Sequence, residues 1–93
     1  MAMNDRIDDI ISVVCEYYGV PRESLSRKKM GPHYVQCARK AVCYYLKTLA
    51  GMTQRDIGKT LNRDSTTAWY HANHYEPEPT LDNRVRFKVF GWL

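Results

Sequence analysis

Ile7, Ile10, Ile11, Val14 and Tyr18 recur at i, i+3, i+4, i+7 and i+11, the spacing of one helix face. Asn4 is placed to cap that helix, and Asp5, Asp8 and Asp9 suit the positive end of its dipole. Gly19 is a natural stop, and Pro21 opens a short segment, PRESL, of one or two turns. SRKKMGPHY follows, with crowded charges and Gly31-Pro32, and reads as a loop. Pro32 suits the first position of a second long helix running to about Ala50, where Gly51 ends it. Its apolar stripe is Val35, Ala38, Val42, Tyr45 and Leu49, with Arg39, Lys40 and Lys47 outside the stripe.

Thr53 with Asp56 three residues on is a capping box, and Met52 and Ile57 are placed as a hydrophobic staple. The helix so started is short, about Gln54 to Leu61, and Asn62-Arg63-Asp64 is turn chemistry. Asp64 or Ser65 caps the next helix, which continues through Trp69 and Ala72 to about Tyr75. Glu76-Pro77-Glu78-Pro79 stops it, because a proline pushes the residue before it out of helical geometry. A last helix, about Leu81 to Trp92, offers Val85, Phe87, Val89, Phe90 and Trp92 as a lid over the core. The pattern is all-α. At 93 residues the chain has room for one small domain, read as 1–93.

Charge changes the picture more than composition does. The net charge is +4, but its distribution is uneven. Residues 26–63 hold nine bases and one acid, +8, while the flanking stretches are −3 (1–25) and −1 (64–93). A central basic block in a small domain is the usual footprint of a polyanion partner, nucleic acid before membrane. No apolar run approaches the ~20 residues that cross a bilayer. The acidic start, MAMNDRIDDII, is unlike a signal peptide, so export is not expected. Three cysteines (Cys15, Cys37, Cys43) contain no CxxC pair, so they read as partly buried thiols in a reducing cytoplasm.

Two short helices joined by a three-residue turn beside a basic block suggest a helix-turn-helix. Its second helix would carry Ser65, Thr66 and Thr67 in the first turn. Hydroxyls there serve bases or phosphates, or act as ordinary caps; the spacing supports both. His71 with His74, and His33 with Cys37, share helix faces but lack companion ligands, so no metal is expected. Tyr17-Tyr18 and Tyr44-Tyr45 read as core and core-edge rings rather than platforms for stacking bases. No nucleophile elbow, HExxH or paired catalytic carboxylates are present, so no enzyme and no cofactor are expected.

TQRDIGKTLNRDSTTAWYHA resembles the C-terminal DNA-binding domain of DnaA-type replication initiators, whose pattern is like S-L-x-E-I-G followed by R-D-H-T-T-V. Thr53, Asp56, Ile57 and Gly58 match the first part, and Arg63, Asp64, Thr66 and Thr67 the second. ARKAVCYYLKTLAG is similar to the family's long helix, SRKK at 26–29 to its basic loop, and EYYGVPRESL to its opening helices. The resemblance covers roughly 7–75 and implies a Trp-repressor-like helical fold. It implies a basic loop in the minor groove (Arg27, Lys28, Lys29) and a phosphate contact from Arg39 with Lys40 beside it. It further implies a backbone approach near Gln54 and Arg55, and major-groove reading by Arg63, Asp64, Ser65, Thr66 and Thr67. Ser65 stands where the family has histidine, the turn is one residue shorter, and the ATPase phosphate loop is absent from these 93 residues.

The expected function is sequence-specific binding of double-stranded DNA, as an accessory replication factor or small regulator, phage-encoded or from a mobile element. A replication or regulatory protein is the further partner expected, with no membrane partner and a cytoplasmic location. The alternative is a protein-interaction module that kept the fold and lost DNA binding, with the last helix and its aromatics as the contact surface.

Overall fold

The computed structural model describes residues 3–27 and 31–91. The element order is α1 (Met3–Tyr18), a 3-10 helix (Arg22–Ser26), α2 (His33–Thr48), α3 (Gln54–Thr60), α4 (Ser65–Asn73) and α5 (Pro79–Phe90). The fold is all-α.

Helix α2 is the centre. It packs against α1 on one side and α4 on another, and α5 closes over α1. Val35, Ala38, Val42 and Tyr45 are buried as the stripe predicts, with Leu49 at the edge of the core. Ala41, Cys43 and Leu46 are buried as well, because α2 has neighbours on several sides. From α1 come Ile10, Ile11 and Val14; from α3, Ile57; from α4, Ala68 and Ala72. Small side chains on α4 allow it to lie close to α2.

Helix α5 buries Leu81, Val85 and Val89, an i, i+4, i+8 stripe. Phe87 is not part of the lid: it is 54% exposed, and Phe90 is 39% exposed. Trp92 lies outside the described residues. Two tyrosines tie the start of α5 down. The Tyr45 hydroxyl donates to the Asp82 carboxylate at 2.9 Å, and Tyr18 donates to Glu78 at 2.7 Å. Tyr45 is fully buried and Tyr44 half-buried, whereas Tyr17 and Tyr18 are both half-buried.

The boundaries differ from the sequence pattern in instructive places. Asn4 lies inside α1 rather than at its cap. Pro32 is the N-cap of α2, with ψ 161°, not its first helical residue. Pro79 instead occupies the first turn of α5, two residues before the expected start. Helix α4 stops at Asn73 rather than Tyr75: the His74 amide closes back on the Tyr70 and His71 carbonyls, and its Nδ1 pairs with the Tyr70 carbonyl. Helix α2 stops at Thr48, where the Met52 amide donates to the Leu46 carbonyl across Gly51.

Candidate nucleic-acid interface

The helix-turn-helix is built by local chemistry. Thr53 accepts the Asp56 amide at 3.2 Å and starts α3. At its end, Asn62 takes a left-handed backbone (φ 52°) that asparagine tolerates. The Arg63 amide then returns to the Gly58 carbonyl at 2.8 Å and Asn62 to Lys59 at 3.3 Å, the paired bonds of a Schellman ending. Asp64 is the cap of α4, its carboxylate accepting the Thr66 amide at 3.2 Å.

Gly58 sits where the two helices meet. A Cβ there would stand 2.8 Å from the Arg63 carbonyl oxygen and 3.2 Å from the Ser65 Cα. The close approach of α3 to the head of α4 therefore depends on a missing side chain.

Between these helices lies an open groove of about 560 Å³, lined by Arg55, Lys59, Asn62, Arg63, Asp64 and Ser65, with Gly58 among them. Three bases face one carboxylate, and that carboxylate is engaged in capping. Arg55 and Lys59 are exposed, one turn apart on α3. Thr66 and Thr67 are exposed on the first turn of α4, and Ser65 is half-buried beside the groove. Gln54 is half-buried and Lys40 half-exposed on α2. Arg27 is exposed, while Lys28 and Lys29 lie outside the described residues.

Arg39 departs from its expected role. It is 4% exposed, with donors on the Ser24 carbonyl (2.8 Å), the Leu25 carbonyl (3.2 Å) and the Arg27 carbonyl (3.3 Å). A guanidinium enclosed in this way offers no face to a phosphate. Its companion Arg63 donates to the Asn62 carbonyl at 3.1 Å and to the Arg27 carbonyl. Lys47 is also turned to its own protein, over the Trp69 ring at 4.2 Å and donating to the Asn73 side-chain oxygen Oδ1.

Lys59 escapes the sequence reading although it falls in the basic block, i+4 from Arg55 on the same short helix. His71 has a buried Nδ1 with no hydrogen-bond partner. Burial, then the nearby charges of Lys40, Arg63 and Arg39, hold it below the ordinary histidine value of 6.5. His74 stacks on the exposed Tyr70 ring, centroids 3.9 Å apart. His33 Nε2 lies 3.4 Å from Cys37 Sγ. Among the described residues, no group of three or more histidines, cysteines or acids is arranged to hold a metal ion. No helix among them is long and apolar enough to cross a membrane.

A family model described as the bacterial dnaA protein helix-turn-helix matches residues 7–74. The chain is 31% identical over 83 residues to the chromosomal replication initiator protein DnaA of Chloroflexus aurantiacus, in strains J-10-fl and Y-400-fl alike. Those alignments cover 88% of this chain and 17% of the relatives, so the chain spans about a sixth of their length. No solved structure matches.

Proposed function

The chain belongs to the bacterial DnaA helix-turn-helix family, a DNA-binding family, and from that premise we propose that it binds double-stranded DNA with sequence preference. The first turn of α4 enters the major groove. Thr66 and Thr67 present hydroxyls to base edges, Ser65 stands at the groove wall, and Asp64 holds the turn in shape as its cap. Arg55, Lys59 and Lys40 supply phosphate contacts on either side, with Arg63 at the groove wall and its donors on the Asn62 and Arg27 carbonyls. Arg27, with Lys28 and Lys29 after it in the sequence, reaches the minor groove. The role is that of an accessory replication factor or small regulator acting in the cytoplasm. The observation that carries this reading is the exposed polar head of α4 set against a groove with three bases.

Binding to duplex DNA across a salt series tests it. Neutralising about four to six phosphates gives a slope of log affinity against log salt of roughly −4 to −5. Thr66→Ala or Thr67→Ala relaxes preference by about 1–3 kcal/mol per lost base contact, whereas Lys40→Ala weakens all duplexes alike. Retention of full preference by both threonine variants overturns the major-groove assignment. A flat salt response, or no binding at low salt, favours the second reading, a protein-interaction module, for which the exposed Phe87 of α5 is the supporting observation.

A further inference from the structure

The four carbonyls of Ser24, Leu25, Ser26 and Arg27 all accept side-chain donors from elsewhere in the fold. Arg39 of α2 serves three of them, as given above. The Asn62 side-chain Nδ2 donates to the Ser26 carbonyl at 3.1 Å, and Arg63 donates to the Arg27 carbonyl. The Ser24 carbonyl also accepts the Arg27 amide at 3.5 Å, whereas the carbonyls after it lie past the last turn of the 3-10 helix, and these side-chain donors satisfy them. Two of the three donor residues belong to the turn between α3 and α4, and they reach back 36 positions in the sequence.

We propose that Arg39, Asn62 and Arg63 are positioning residues: they staple the Ser24–Arg27 segment to the helix-turn-helix turn and so fix Arg27 relative to the first turn of α4. The inference rests on the DNA-binding reading above. Arg27 is exposed at the end of this segment, and Thr66 begins within three residues of Arg63. A minor-groove contact and a major-groove contact reinforce each other only when their spacing is held, because the second then forms at high effective concentration. The staple sets that spacing. It also explains why an arginine in the basic block is buried: Arg39 holds the segment that carries a cation rather than meeting the phosphate itself.

Asn62→Gly isolates the effect. Glycine adopts the left-handed backbone of position 62 freely, so the turn is kept and the bond to the Ser26 carbonyl is lost. Native chain and variant are each used to select from a random duplex pool, and their salt slopes are measured on the native winner. The native chain is expected to select a core block and an adjoining flank. The variant is expected to keep the core and lose information in the flank. Its affinity for the native winner falls roughly three- to tenfold, the scale of one hydrogen bond's net worth. Its salt slope falls by about one as the Arg27 contact loosens. A loss of fold alone would lower the active fraction and leave motif and slope unchanged. Asn62→Asp, which also tolerates the left-handed backbone and lacks the donor, repeats the selection should the glycine variant not fold, and is read by the flank of its motif alone because the added carboxylate lowers affinity and slope by itself. A folded variant that selects the same motif with the same slope overturns the staple alone. A native chain that binds no duplex at any salt overturns the DNA-binding reading, and the staple's role with it.

Discussion

Gly58→Ala separates two views of α3 by the sign of its effect. A glycine inside a helix costs about 0.5–1 kcal/mol relative to alanine. If the helix were the whole matter, the variant would be more stable. The contacts say otherwise. The new Cβ would lie 2.8 Å from the Arg63 carbonyl oxygen, 3.2 Å from the Ser65 Cα and 3.3 Å from the Ser65 nitrogen. All three are backbone atoms, so no rotamer change relieves them. Either the head of α4 moves away from α3, or the bond from the Arg63 amide to the Gly58 carbonyl at 2.8 Å opens.

Forcing a methyl into packed structure costs roughly 1–3 kcal/mol. Set against the propensity gain, the net loss centres on about 1 kcal/mol and reaches about 2.5 kcal/mol at most. At about 4–8 °C per kcal/mol for a domain of this size, the melting point drops by roughly 5–15 °C. Circular-dichroism melts with a denaturant series give the number. Duplex affinity, read well below the melting point, should fall too, because the displaced element carries Ser65, Thr66 and Thr67. Gly58→Val should rank below Gly58→Ala. A Gly58→Ala protein that melts at or above the native temperature and binds DNA as well refutes the reasoning.

His71 makes stability depend on pH in a stated direction. Its native pKa is lowered by burial first and then by Lys40, Arg63 and Arg39, while the unfolded chain keeps the ordinary 6.5. Between the lowered value and 6.5 the unfolded state binds more protons, so stability rises with pH through that window and falls on acidification from about 7.5 to 5.5. The denaturant midpoint of His71→Gln should vary less over that range; curves parallel to native would count against it. The thiols give a cheaper check of the core. Cys43 is fully enclosed, its thiol pushed up to about 12 by burial, and Cys15 is raised by burial too, whereas Cys37 is partly exposed. Intact mass after brief treatment with a thiol reagent should show one label on the folded chain and three after unfolding; early labelling of Cys43 would contradict this packing.

The features legible in the sequence are those with a short-range signature. The stripes of α1 and α2 carry their own period, and Ile10, Ile11, Val14, Ala38, Val42 and Tyr45 are buried accordingly. Thr53 with Asp56, and Asp64 before a polar first turn, are caps that act within three residues. Prolines carry a less definite signal, since the same residue type serves as cap at 32 and as first-turn residue at 79. The burial of Arg39 has no local signature. It depends on carbonyls 12 to 15 positions away, at the end of a 3-10 helix with no periodic pattern of its own. Gly58 is similar: its neighbours in the turn are fixed by how α3 ends, and the resemblance names the residue without giving its reason.

The same distinction bears on the charge. Nine bases between 26 and 63 set an upper bound on phosphate contacts, and the fold subtracts from it. Arg39 is enclosed by carbonyls, and Lys47 lies on Trp69. Arg63 lines the groove but donates to the Asn62 and Arg27 carbonyls. Arg27, Lys40, Arg55 and Lys59 remain at least partly open to solvent, with Lys28 and Lys29 outside the described residues. That inventory is why about four to six phosphates, rather than nine, enter the expected salt slope. An inward-facing arginine is not electrostatically idle, however. Arg39 and Arg63 meet at one carbonyl, and their mutual repulsion is held in place by packing. A phosphate settling nearby is attracted by both, so the staple that orders Arg27 also adds to the positive field beside the head of α4.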